Sequence, residues 1–95
     1  QVLYAATEDS DRFAAIAQQN LLLVLPDNVR TASQIDSSIY LMKQIHCPAI
    51  LVECGFLSNA EDEYLLKTEE YQKKLSLILI CSYLQYQDTT CATAG

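Results

Sequence analysis

Short apolar blocks separated by polar stretches set the plan of this chain. Gln1-Val-Leu-Tyr-Ala5 has the β-branched and aromatic composition of a strand. Phe13, Ile16, Ala17, Leu21 and Val24 then recur at helical spacing, which predicts a helix burying one stripe. Asp9 or Ser10 can cap its start, and Pro26-Asp27-Asn28 ends it. Val29 to Ser38 is polar and reads as a loop holding at most a helical turn. Ile39 to Met42 is an apolar run too short for periodicity to assign. Pro48-Ala-Ile-Leu-Val-Glu53 is a continuous apolar run closed by a carboxylate, and such runs suit strands covered on both faces. Cys54 to Asn59 follows as a loop, with Gly55 permitting a backbone turn that most residues resist. Asn59 caps a short helix ending near Leu66 or Lys67, with Glu61, Asp62 and Glu63 in its first turn. Thr68 caps a last helix reaching about Tyr86, whose buried stripe is Tyr71, Leu75, Ile78 and Leu79, extended by Ser82 and Tyr86.

Strand, helix, loop, strand, helix, helix is an α/β layer pattern. The strands are fewer than a doubly covered sheet needs. The expectation is therefore a partial three-layer α/β domain, a mostly parallel sheet flanked by helices with part of that sheet missing. Residues 1–86 form that part of the domain, and residues 87–95, small and polar, read as a flexible tail. A chain that opens on Gln1 rather than Met, without a charged and apolar leader, reads as a processed product or a fragment with no signal peptide.

Composition narrows the function classes. Of 95 residues, 51% are apolar, which excludes a disordered segment. The formal net charge of −6 counts against nucleic acid and anionic membrane surfaces, both of which require a basic footprint. No apolar run approaches the roughly 20 residues that span a bilayer. Cys47, Cys54, Cys81 and Cys91 match no Cys-x-x-Cys spacing, and His46 is the only histidine, so no structural zinc site is expected. The cysteines read as free thiols, with one disulfide left open.

Glu53 is the strongest candidate for chemistry. A carboxylate carried by an apolar strand must be protonated, paired or metal-bound if it is buried. In open α/β sheets, ligands bind at the carboxyl ends of strands. Glu53 is thus a general acid or base, a metal ligand, or a strand-end carboxylate that meets solvent or caps the next helix. Arg30 suits bidentate contact with a substrate carboxylate or glycan, or an internal salt bridge. Asn59 is a cap or a substrate contact. Ser58 lacks a nucleophile elbow. A Cys54–His46 dyad is ruled out because a whole strand separates the two.

The stretch Pro48-Ala-Ile-Leu-Val-Glu-Cys-Gly-Phe-Leu-Ser-Asn59 resembles the signature of zinc-dependent N-acetylmuramoyl-L-alanine amidases: Pro, an apolar strand, Glu, a small residue, Gly-Phe, an apolar residue, Ser-Asn. Gln1-Val-Leu-Tyr4, the following helix and Arg30 also resemble the family, and Tyr40-Leu-Met-Lys43 with Tyr71-Gln-Lys-Lys is most similar to the spore-cortex amidases. The resemblance covers Gln1 to Tyr86. It implies cleavage of the amide between the lactyl group of N-acetylmuramic acid and the L-alanine of the peptidoglycan stem peptide. It implies a zinc with two His and one carboxylate in the full domain, and Glu53 as general base toward water and then general acid toward the leaving amine. It also implies a site outside the cytoplasmic membrane, in the cell wall or spore cortex. The family's zinc ligands precede the position matching Gln1, so this chain alone is expected to bind no catalytic zinc and to be inactive, a partner to the missing N-terminal half. The alternative is a truncated, non-catalytic interaction module that self-associates through an open sheet edge.

Overall fold

The computed structural model describes residues 1–24, 31–36, 44–55 and 59–94. Strand β1 (Val2–Tyr4) is central in a three-stranded sheet of order β2-β1-β3, between β2 (Ser33–Gln34) and β3 (Ile50–Val52). β1 and β2 are parallel, with Leu3 opposite Ser33, and the crossover between them carries helix α1 (Ser10–Val24). β3 is antiparallel to β1, pairing Val2 with Val52 and Tyr4 with Ile50. Helix α2 (Ala60–Leu66) and the long helix α3 (Glu69–Ala94) follow. The described fold is thus mixed α/β, with one parallel and one antiparallel strand pair.

The pleat explains where the core sits. Val2 and Tyr4 share one face of β1 with Ile50 and Val52 of β3, and α1 lies across that face with Ala14, Ala17 and Leu21. α3 packs along α1 and adds Leu75 and Ile78 to the same cluster. Side chains such as Val2 and Leu21, fully buried here, each contribute about 1.5–3 kcal/mol relative to exposure. Leu3 and Leu51 point to the opposite face, where Leu51 is 39% exposed.

Buried polar groups tie the layers together. Gln18 of α1 accepts the Val2 N–H through Oε1 at 2.8 Å. The Ser10 hydroxyl, fully buried, accepts the Ala49 N–H at 2.8 Å, and Thr7 Oγ1 donates to the Cys47 carbonyl at 2.7 Å. The entry to β3 is therefore pinned to the start of α1. Ser82 of α3 donates to the Ile78 carbonyl and accepts from Asn20 Nδ2 of α1. Phe13 stacks on Tyr86 at 4.9 Å, and the Arg12 guanidinium lies 4.5 Å from the same ring.

Several expectations change. Ser33–Gln34 lies in the stretch expected to be loop, but it forms a strand. Two polar residues carry no alternation signal, and pairing with β1 makes the strand: Ile35, itself buried, donates to the Tyr4 carbonyl at 2.9 Å. Val24 is 37% exposed, outside the buried stripe, while Ala14 and Gln18 are inside it. The β3 run has one covered face, not two, because Leu51 is exposed. Ser10 is the first helical residue rather than a cap; Asp9 before it takes φ 67°, a left-handed conformation that Asp tolerates better than most residues. α3 continues to Ala94, eight residues past Tyr86, since no Gly or Pro interrupts it. Ile39 to Met42 and the Pro26-Asp27-Asn28 helix stop lie outside the described residues.

Candidate active site at the end of β3

The β1–β3 ladder determines where Glu53 stands. The Ala5 N–H bonds the Ala49 carbonyl at one end. At the other, the Glu53 N–H donates to the Gln1 carbonyl at 2.8 Å, and the Gln1 nitrogen donates to the Glu53 carbonyl at 3.0 Å. This reciprocal pair fixes the Glu53 backbone while its side chain remains exposed. Among the described residues the carboxylate makes no hydrogen bond or ion pair. Its side chain is exposed to solvent. It is not the helix cap, because Asn59 holds that position.

Glu53 closes β3 at its carboxyl end, but β3 runs against its neighbours. Glu53 therefore lies at the edge where β1 and β2 begin, beside Gln1, whose side-chain amide donates to Ser33 Oγ of β2 at 3.5 Å. The carboxyl-end rule locates the residue on its own strand only.

The loop after Glu53 is shaped by contact. Gly55 does not have positive φ, so the expected turn requirement is absent. Its role is close approach: a Cβ there would lie 3.3 Å from Asp62 Cβ and 3.4 Å from Leu66 Cδ1 of α2. Asn59 Oδ1 accepts from the N–H groups of Glu61 at 3.0 Å and Asp62 at 3.1 Å. This satisfies two donors that a helix start leaves open. The acidic first turn complements the helix dipole, and Glu63 pairs with Lys67 at 2.9 Å. Thr68 then starts α3, its hydroxyl accepting the Tyr71 N–H at 3.3 Å.

Tyr71 backs this region from α3. It packs against the core, and burial raises its phenol pKa above 10.0, helped by the negative charge of Cys54 and Asp62. The sequence presents Tyr71 only as a buried helix position. Its link to Cys54 and Asp62 follows from the packing of α2 on α3, which local spacing does not encode.

The remaining candidates separate cleanly. His46 and Cys47 are exposed on the segment entering β3, at the strand end opposite Glu53. Cys47, Cys54 and Cys81 are free and exposed. Arg30 lies outside the described residues, as do Phe56 to Ser58. Among the described residues no group of three or more His, Cys, Asp or Glu side chains is placed to hold a metal ion, and no helix is long and apolar enough to cross a membrane. These residues do not fit a catalytic zinc by themselves.

Comparison with known proteins gives a consistent result. Residues 1–79 match the family model of N-acetylmuramoyl-L-alanine amidases. The chain is 32% identical over 83 residues to the germination-specific N-acetylmuramoyl-L-alanine amidase of Bacillus subtilis, covering 87% of this chain and 35% of that protein. It is 31% identical over 81 residues to the uncharacterized protein YqiI of the same organism, covering 85% of this chain and 38% of that protein. Its fold superimposes with a TM-score of 0.85 on the CwlD amidase of Clostridioides difficile, solved in complex with the GerS lipoprotein, at 33% identity over 94% of this chain and 46% of that one. The chain spans a little over a third of the length of the curated relatives it matches. With the strand, the carboxylate and the capped helix in the order of the family signature, the chain belongs to the N-acetylmuramoyl-L-alanine amidase family, as part of a domain of the spore-cortex type.

Proposed function

We propose that this chain supplies the general base of a zinc-dependent amidase that cleaves the bond between N-acetylmuramic acid and L-alanine in peptidoglycan. One observation carries the reading: the Glu53 backbone is tied to Gln1 at the end of β3, while its carboxylate faces solvent and makes no ion pair among the described residues. Glu53 takes a proton from the attacking water and returns it to the departing alanine amine. The zinc would polarise the scissile carbonyl, and its ligands belong to parts of the domain other than these 95 residues. The chain by itself is then inactive.

Arg30 and Asn59 are the proposed substrate contacts. Arg30 precedes β2 by three residues in the sequence. Its guanidinium suits a stem-peptide carboxylate. Asn59 Oδ1 is engaged by the cap, which leaves its amide nitrogen to donate to substrate. The rest of the domain would cover Leu3 and Leu51 on the open sheet face and complete a three-layer, mostly parallel architecture. That use of the sheet is favoured over self-association at its edge, because the family match extends through all three strands. The substrate class sets the site of action outside the cytoplasmic membrane, in cell wall or spore cortex.

Glu53→Gln in the intact protein, assayed on muropeptides, tests the role. General acid–base catalysis contributes about 10²–10⁴-fold, so turnover should fall by that factor with little change in KM. Near-normal turnover would remove Glu53 from the mechanism.

A further inference from the structure

Helix α3 has two apolar faces. Leu75, Ile78 and Ser82 face α1 and the core. Leu77, Ile80, Cys81 and Leu84 form a second stripe on the opposite side of the helix, at i, i+3, i+4 and i+7. Their exposure is high for such residues: 63% for Leu77, 55% for Ile80 and 52% for Leu84. At the edge of this stripe, Leu77 and Cys81 join Leu23, Val24 and Ile78 in lining an open groove of about 260 Å³ between α1 and α3. An ordinary surface helix buries one stripe and solvates the other.

The charges beside the stripe select its occupant. Lys73 and Lys74 lie on the same face toward the helix start, and Asp88 lies on it toward the other end, all three exposed. Lys74 and Asp88 form no ion pair among the described residues. The midpoint of Lys73 and Asp88 and the midpoint of Leu77 and Leu84 both fall between Ile80 and Cys81. A two-fold axis crossing α3 at Ile80–Cys81 therefore sets Leu77 against the partner's Leu84, Ile80 and Cys81 against the same pair of the second copy, and Lys73 against the partner's Asp88. The apolar and charged positions are self-complementary in the antiparallel sense, as an isologous contact requires. A parallel contact would set Lys73 on Lys73 instead.

We propose that the outer face of α3 is an antiparallel dimer contact with a second copy of this chain. One helix face about 20–30 Å long buries less than a standard interface, so the dimer is a weak one with a dissociation constant on the order of 10 µM.

Sedimentation equilibrium of the full chain tests this directly. The expected result is a reversible dimer that Leu77→Asp weakens by roughly 100-fold, by placing a charge in the apolar seam. Lys73→Glu with Lys74→Glu should weaken it about tenfold, and adding Asp88→Lys to that variant should restore it. The restoration shows that the first loss was not misfolding. In a Cys47→Ser, Cys54→Ser, Cys91→Ser background, mild oxidation should join two chains through Cys81, and further Cys81→Ser should prevent it. A monomer up to about 100 µM, a dimer indifferent to the stripe and charge variants, or failure of the charge swap to restore association would each overturn the proposal; indifference would move the contact elsewhere, such as the sheet edge.

Discussion

Asn59 caps α2 in this structure, and the substrate contact proposed for it can be separated from the cap by choice of substitution. Its Oδ1 accepts two backbone N–H groups at the start of α2. Loss of an N-cap side chain typically costs about 1 kcal/mol. Little within α2 offsets that loss: the helix has 7 residues, none of them buried. Isolated helices shorter than about 12–15 residues are marginal in water, so α2 depends on its cap and on packing against α3. Asn59→Ala should therefore raise the opening of the first turn about fivefold, read as faster amide hydrogen exchange at Glu61 and Asp62. Asn59→Ser keeps the acceptor without adding a charge beside Glu61, Asp62 and Glu63, and should leave exchange near the parent rate. The substrate-contact role predicts a different pattern in the intact amidase. Asn59→Ser removes the amide donor, so kcat/KM should drop about 2–10-fold although the cap survives. Unchanged exchange in Asn59→Ala would refute the capping argument. Unchanged kcat/KM in Asn59→Ser would refute the substrate contact.

Gly55→Ala should cost no more than about 1 kcal/mol in urea unfolding, because Asp62 and Leu66 must give by only a few tenths of an ångström, whereas Gly55→Val should cost more than about 2 kcal/mol. Gln18→Leu strips the acceptor from the fully buried Val2 N–H and should destabilise the chain by at least about 1 kcal/mol in the same assay. Tyr71 has a folded-state pKa raised above 10.0, so the folded state holds the phenolic proton more tightly than the unfolded state does. Stability from that group is complete below the unfolded pKa and is lost as pH rises through the folded one. Unfolding free energy should fall with alkaline pH above about 10, and Tyr71→Phe should flatten that decline.

The sequence alone determined the elements whose signals are local. Asn59 followed by three acidic residues is a helix start in any context, because the cap side chain reaches only two or three residues on. Pro48 to Glu53 is long and apolar enough to be a strand, and the α3 core stripe of Leu75, Ile78 and Ser82 follows directly from helical spacing. The signature around Glu53 identified the family from twelve consecutive residues. Tertiary structure decided what depends on partners distant in the chain. β2 is a strand only because β1 offers it an edge, and Gly55 is needed because α2 folds back against it. Gln18 is buried because an N–H sixteen residues away needs an acceptor. The direction of β3 relative to β1 carries no sequence signal, yet it sets Glu53 at the edge where β1 and β2 begin. Hydrophobic periodicity records which face of an element is buried; it does not record which element does the burying.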